Sequence, residues 1–390
     1  MKFSRRMDQF GEGIFSKLLE IKRERLQKGY PVIDLSVGAP NIPPAEHIME
    51  ALCAAAQDKS NYIYAINDRT DLLEAVSGWY QRRYGVDLDP RTEICSLFGS
   101  QEGFAHLSLT IVDEGDTVLV PDPCYPAFSD GPRIAGAKLY YMPQRKENGY
   151  VIRLSDIPEE VARKAKLMIV SYPNNPTTAM ASDSFYEELI AFAKKYDIIV
   201  LHDNAYSELV FDNRKCGSFL SFPGAKEVGV EFNSLSKTYA LAGARAGFCV
   251  GNEAVISKLK TLKSNMDYGM FLPIQKAAIA AITQSQECVT KTRQIYERRR
   301  DILCDGLNSI GWSITKPEAT MFVWAAIPSY YQTSSQFAMD MVEQAGVIVT
   351  PGSAFGPSGE GYVRMALVQD EDVLEQAIRL LGESGIFIDA

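Results

Sequence analysis

The sequence predicts an α/β protein: a mainly parallel central sheet flanked by helices, joined to a smaller α+β domain. Three observations carry this. From residue 44 to residue 234, apolar stretches of strand period alternate with stretches of helix period, the pattern of a parallel sheet built by right-handed crossovers. Beyond a helical stretch at 274–310 the pattern changes to short strands backed by helices. Residues 228–248, VGVEFNSLSKTYALAGARAGF, read as a buried strand, a polar turn with one lysine and a small-residue segment containing an arginine.

The 390 residues suffice for one large core and a smaller one. A hydrophobic share of 46% with 23% charge is that of an ordinary globular chain. Acidic residues outnumber basic ones, 49 to 40, and no basic run compensates, which argues against nucleic acid or an anionic membrane as partner. The apolar runs fall far short of the ~18 residues a spanning helix needs, and the first residues lack the apolar stretch of a signal peptide, so a cytoplasmic protein is expected. Seven scattered cysteines without a CxxC, and His47, His106 and His202 without ligand spacing, support neither a disulfide framework nor a metal site.

Taken in order, residues 7–27 predict a helix with Phe10, Ile14, Leu18 and Ile21 on one face. VIDLSVG is extended and ends at Gly38, which is either an ordinary turn glycine or a place where backbone meets a ligand. Helical spacing then predicts helices over 44–57, 71–84, 101–112, 127–135, 155–163 and 183–196. Strands are predicted over 93–98, 117–121, 137–143, 165–173, 197–203 and 228–234. A polar, aromatic loop, YIYAIND, separates the first two of these helices. After FCVGN come a helix over 254–263 and one long helical segment over 274–310, almost free of Gly and Pro and able to connect two domains. The remainder holds extended stretches at 312–315, MFVWAAIP, VIVTPG and YVRMALV, with helices at 334–344 and 371–381. With the N-terminal segment completing the second unit, the expected division is a large domain, 45–285, and a small one built from 1–44 and 286–390.

Four polar groups fall independently at the carboxyl ends of predicted strands, where open α/β sheets bind ligands. Ser100 follows ICSLFG and opens a helix through Gln101 and Glu102, whose free N–H groups suit a phosphate, although a plain serine cap reads the same. Asn175 follows LMIVSYPN, Asp203 ends DIIVLHD, and Lys237 follows VGVEFNSLS. Ser234, Ser236, Lys237 and Arg245 are donors with no acid nearby, and they call for an anion, most simply a phosphate. A solvated loop lysine is the plain alternative, but Leu235, Tyr239, Ala240, Leu241 and Ala242 leave little room for hydration. An amine held among apolar groups and cations loses basicity and becomes nucleophilic. The glycines of a P-loop are missing ahead of it. A lysine beside a phosphate site suggests a Schiff base with pyridoxal phosphate. Asp203, otherwise a structural cap, would then keep the ring nitrogen protonated; Asn175 and Tyr206 would bond the phenolate oxygen, and Tyr125 would stack on the ring.

In LSVGAPNIPP, GSQEGF, DPCYPAF, YPNNPTT, HDNAYSELVFD, NSLSKTYALAGARAGF and PGSAFGPSGEGYVRMAL, in this order, the chain resembles the class I/II aminotransferases, fold type I pyridoxal phosphate enzymes, over essentially its whole length. The resemblance implies that Lys237 forms the internal aldimine, that Asp203 pairs with the ring nitrogen, and that Asn175 and Tyr206 meet the phenolate oxygen. It implies a phosphate surrounded by Ser100, Gln101, Glu102, Ser234, Ser236 and Arg245, a ring stacked on Tyr125, and a substrate α-carboxylate on Arg364 beside Asn175 and the Gly38 backbone. Tyr64 resembles the tyrosine that reaches the phosphate of the neighbouring subunit, which implies a homodimer with shared active sites. The implied activity is ping-pong transfer of an amino group from an L-amino acid to a 2-oxo acid such as 2-oxoglutarate. A carbon-sulfur β-lyase of the same fold would use the same residues. A non-catalytic cofactor-binding regulator is a further alternative, but such regulators carry a DNA-binding domain ahead of the fold, and only ~30 residues precede VIDLSV. Two departures stand out: NPTT at 175–178 where the family often has NPTG, and Arg69 where a glycine usually follows the loop tyrosine by five residues. Arg69 is either a selector of substrate side chains or a solvated helix-start arginine. Within the group, NMDYGMFLPIQKAA and PGSAFGPSGEGYVRMAL most resemble LL-diaminopimelate aminotransferase-like members.

Overall fold

A computed structural model of the chain describes residues 1–11 and 14–387. Its strands, in chain order, are β1 (Ile33–Asp34), β2 (Ile94–Leu97), β3 (Thr117–Asp122), β4 (Lys138–Pro143), β5 (Ala165–Ser171), β6 (Ile199–Asp203), β7 (Gly229–Ser234), β8 (Gly247–Gly251), β9 (Phe322–Ala326), β10 (Val347–Ile348), β11 (Thr350–Pro351) and β12 (Tyr362–Ala366). Among the described residues a seven-stranded sheet runs in the order β2-β8-β7-β6-β5-β3-β4. It is parallel throughout except for β8, which is antiparallel to both its neighbours. β11, β12 and β9 form a three-stranded antiparallel sheet, and β1 pairs in parallel with β10, so the N-terminal segment does join the later part of the chain.

The period of two in β5 sorts its side chains to the two faces of the large sheet. Leu167 and Ile169 pack into one core with Phe104, Phe128 and Phe232, while Met168 and Val170 pack into another with Leu189 and Phe248. The Phe104 ring lies 4.8 Å from Phe128 and 5.1 Å from Phe232 between centroids, and such pairs add about 0.5–1.5 kcal/mol each beyond the area they bury. A separate core gathers Leu35, Tyr296, Phe322, Phe337 and Met365 around the small sheet. Because both faces of the large sheet are covered, even Glu231 of β7 is wholly buried. Its carboxylate accepts from Tyr80 Oη at 3.0 Å, Ser218 Oγ at 2.9 Å and the Phe219 N–H at 2.9 Å, and lies 2.9 Å from His202 Nδ1. Those partners offset the cost of taking the charge out of water.

Some expected elements change. Residues 7–27 are not one helix: a 3-10 turn, Arg5–Gln9, leads to an extended Phe10, and the helix is Ile14–Gln27. Gly11 disfavours a continuous helix there, and Glu12 and Gly13 lie outside the described residues. The helix expected over 155–163 shrinks to Glu159–Ala162 behind a 3-10 turn, Leu154–Asp156, because Pro158 cannot continue a helix begun upstream. The long segment 274–310 splits into Leu272–Thr283 and Glu287–Ser309. Gln286 Nε2 donates to the carbonyls of Ala281 at 2.8 Å and Gln284 at 2.9 Å, and these bonds close the first helix. Residues 312–315 form no strand; Trp312 is anchored by its indole, which donates to the Ala326 carbonyl at 2.8 Å and stacks on Phe387 at 5.1 Å.

For the site, the register matters most. Ser171 at the end of β5 lies opposite Asp203 at the end of β6, and Asp203 lies opposite Phe232 near the end of β7. The three carboxyl ends therefore share one rim. No helix among the described residues is long and apolar enough to cross a membrane.

Candidate active site

Past this rim lies a cavity of about 280 Å³. Lys237 enters it from the short helix Leu235–Thr238, which starts where β7 stops. Ser234 Oγ caps that turn by accepting from the Ser236 N–H at 3.2 Å, and both serines border the cavity. Lys237 Nζ donates to the Gly38 carbonyl at 2.5 Å. Glycine is required at 38, since a Cβ there would stand 2.6 Å from the Phe322 ring. Burial, reinforced by the Arg364 and Arg245 charges, pushes Lys237 down to about 8.

The Arg245 backbone is in the left-handed region, φ +55°, a conformation that a non-glycine residue keeps only when its surroundings impose it. Its guanidinium occupies the space a side chain would need at Gly99, where a Cβ would come 2.5 Å from Nη2. Gly99 is the cap of the helix Ser100–Ile111, so the guanidinium sits at that helix's N-terminal end. Ser100 Oγ is buried with no hydrogen-bond partner among the described residues. Gln101 lines the cavity beside it and accepts from Tyr125 Oη at 3.0 Å.

Asp203, the last residue of β6, is buried, and its Oδ1 likewise has no hydrogen-bond partner among the described residues. Burial pushes its carboxyl up to about 7, against the pull of His202 and the Ala205 N–H. Burial also raises Tyr206, which keeps it a phenol and hence a donor. Asn175 Oδ1 accepts from Arg364 Nη1 at 2.9 Å. Arg364, on β12, is 2% exposed. It donates through Nη2 to the Ser36 carbonyl at 2.8 Å, and its guanidinium carbon lies 4.2 Å from the Phe322 ring centre and 4.7 Å from that of Phe355. Burial brings it down to about 10. A guanidinium this dry, bordering a cavity, suits a planar anion such as a carboxylate.

The donor set fits pyridoxal phosphate. Ser100 Oγ, the first N–H groups of its helix and Arg245 suit a phosphate; the orphaned Asp203 Oδ1 suits a protonated ring nitrogen; an amine of lowered basicity suits an aldehyde.

Two expected residues have side chains outside the cavity of their own chain, although the Glu102 N–H stays in the first turn of its helix. The Glu102 carboxylate turns away and is held by Lys263 Nζ at 2.6 Å, so its side chain is not part of a phosphate shell. Like charge would oppose that role in any case. Tyr64 is 82% exposed and meets Tyr268 edge-on at 6.0 Å, outside the cavity of its own chain. Arg69 is held by Asp71, donating through Nε and Nη2 at 2.8 and 2.9 Å. Thr178, at the family's glycine position, is held at φ +64°, a strained region for a β-branched residue. The sequence reading missed Phe322 and Phe355 beneath Arg364 and the carbonyl of Ser36. The alternation in MFVWAAIP marks Phe322 as a strand residue, yet nothing local says which group it meets.

The family model for aminotransferase class I and II matches residues 30–381. The chain belongs to the class I and II aminotransferases. It is similar to an LL-diaminopimelate aminotransferase of Moorella thermoacetica, 46% identical over 382 residues and 98% of each chain. Among solved structures it is similar to apo-BacF from Bacillus subtilis, at 37% identity and a TM-score of 0.95 over 98% of each chain. It is also similar to a probable N-succinyldiaminopimelate aminotransferase from Thermus thermophilus, at 36% identity and a TM-score of 0.91 over 95% of this chain and 100% of that one. This aminotransferase is thus a fold type I, pyridoxal phosphate-dependent enzyme acting on amino and oxo acids, as the motifs implied.

Proposed function

We propose that this aminotransferase takes LL-diaminopimelate as amino donor and 2-oxoglutarate as acceptor, the two occupying one site in turn. The observation that carries an amino-acid substrate is the pairing, in one cavity, of the buried Arg364 with the lowered amine of Lys237. The choice of donor is supported by the names of relatives that match nearly the whole chain at 41–46% identity. When bound, pyridoxal phosphate supplies a protonated pyridine ring that takes up the electron pair left at the substrate α-carbon. Arg364 would hold the α-carboxylate with the Gly38 backbone and Asn175 alongside. Lys237 Nζ would move the proton at the α-carbon. Asp203 would keep the ring nitrogen charged, Tyr206 and the Asn175 amide would donate to the phenolate oxygen, and Tyr125 would stack. Ser100, Gln101, Ser234, Ser236 and Arg245 would hold the phosphate. Initial rates of glutamate formation from 2-oxoglutarate test the donor, with LL-diaminopimelate, aspartate, alanine and aromatic amino acids compared. LL-diaminopimelate is expected to give the highest kcat/KM. A higher value for another donor overturns the choice, and pyruvate and ammonia from cystathionine without glutamate would replace transfer by elimination.

The same reading divides the chain into a large domain, 45–285, and a small one from 1–44 and 286–390, supported by their separate cores, although Tyr206, Leu209 and Phe211 reach into the small one and Val289 into the large one. It makes the enzyme a cytoplasmic homodimer. In support, Tyr62, Ile63, Tyr64 and Ile66 are each more than 60% exposed, and such an apolar run on one loop calls for a cover. Tyr64 would then reach the partner's cofactor phosphate. Refolding Lys237→Ala together with Tyr64→Asp should restore activity, since a hybrid holds one site with neither defect. Hybrids detected by mass spectrometry but inactive would mean that each subunit builds its site alone.

A further inference from the structure

The first turn of the helix Ser100–Ile111 presents Ser100 and Gln101 to the cavity, while the next residue, Glu102, points elsewhere. Glu102 Oε2 accepts from the Phe98 N–H at 3.1 Å, a backward reach like that of a capping box, which fixes the turn at 98–100. A carboxylate at this end of a helix is stabilised by the same dipole that favours a phosphate, so the two compete. Lys263 meets that competition. It is 4% exposed and does not border the cavity. Its Nζ lies 2.6 Å from Glu102 Oε1 and 3.2 Å from Asp267 Oδ1, and 4.7 Å from the centre of the Phe98 ring. His106 Nδ1 lies 2.6 Å from the same Glu102 oxygen. The ligand-type atoms of Glu102, His106 and Asp267 converge within 4.8 Å of one another, and the lysine ammonium meets both carboxylates. Taking an ammonium this far out of water is costly unless its counter-charges are fixed around it.

We infer that Lys263 is a positioning residue for the cofactor phosphate: its ammonium cancels the Glu102 carboxylate. Glu102 can then lock the turn at 98–100 without repelling an anion at the helix end. This rests on the reading that the turn at Ser100 and Gln101, with Arg245, takes the phosphate.

The test compares apoprotein affinities for pyridoxal phosphate and for pyridoxal, which lacks the phosphate, by absorbance and protein fluorescence. Lys263→Met is expected to weaken pyridoxal phosphate about tenfold, the scale of one uncancelled charge at a partly buried site, and to leave pyridoxal within about twofold. Lys263→Met with Glu102→Gln is expected to recover most of that loss, and Lys263→Arg to retain phosphate preference. Arg245→Gln reports on the underlying reading. If it loses the preference while Lys263→Met keeps it, the inference fails and the site stands; if Arg245→Gln keeps the preference, the site reading fails and the inference with it. Equal weakening of both ligands by Lys263→Met marks a merely structural role and overturns the proposal. Should Lys263→Met not fold, the double variant decides, and a loss of about tenfold or more for pyridoxal phosphate alone in that variant refutes charge cancellation.

Discussion

Lys237→Ala is expected to lower kcat by about ten-thousandfold or more, the scale of losing a covalent anchor together with a positioned proton carrier. Ser100, Gln101 and Arg245 remain, so the variant should still bind pyridoxal phosphate, but without a covalent link. Borohydride reduction followed by intact mass separates the two: the wild type should retain one cofactor per chain and the variant none. A covalent adduct on the variant, or turnover within about tenfold of wild type, would show that another group does the work. The same amine predicts a pH dependence. Burial and two arginines lower it from 10.5 to about 8, and only the neutral amine captures an aldehyde. The apoprotein should therefore take up the cofactor faster as pH rises toward 8 and level off above it; a rate that falls over that range contradicts the assignment. The sign for stability follows from the same shift. The folded state holds the charged amine poorly, at a cost of up to about 3 kcal/mol below pH 8, relieved as pH climbs toward the unfolded value.

For Asp203→Asn, turnover is expected to drop on the order of a thousandfold, as when a preorganised electrostatic group is removed, while cofactor affinity falls much less. An amide cannot keep the ring nitrogen protonated, whereas the phosphate contacts are untouched. Turnover within a factor of about three, less than 1 kcal/mol of barrier, would be incompatible with this role. The cofactor-free protein gives an independent reading. Burial raises the carboxyl from 3.8 to about 7, so its contribution to stability is fully present below pH 3.8 and is lost as pH rises through 7. Wild-type apoprotein should lose thermal stability relative to Asp203→Asn across that window. Parallel melting curves at all pH values would mean that the carboxylate is not desolvated.

Much of the site was legible in the sequence for a simple reason. Strand period and helix period are local, and the right-handed crossover rule turns their alternation into a parallel sheet whose carboxyl ends share a rim. That placed Ser100, Asn175, Asp203 and Lys237 together without any coordinates, with Arg245 as a further donor and Gly38 as a possible backbone contact, and the family motifs added Arg364. Strands β5 and β6 were legible on the same grounds, because each is an apolar run uninterrupted by Gly or Pro.

What the sequence by itself determined was therefore the order of the elements, the direction of the sheet and the residues at its rim. Only the tertiary structure decided which groups these residues face. Arg364 donates to the carbonyl of Ser36, 328 positions earlier in the chain, and rests on Phe322 and Phe355. The Glu102 side chain, one residue beyond the cavity lining, pairs instead with Lys263, 161 positions away. Glu231 sits on a strand whose alternation is plain, yet its burial depends on Tyr80, His202 and Ser218 closing over it from separate elements. Period records how a chain exposes its own faces; contacts between distant segments depend on how separate elements pack against each other, and no local pattern encodes that.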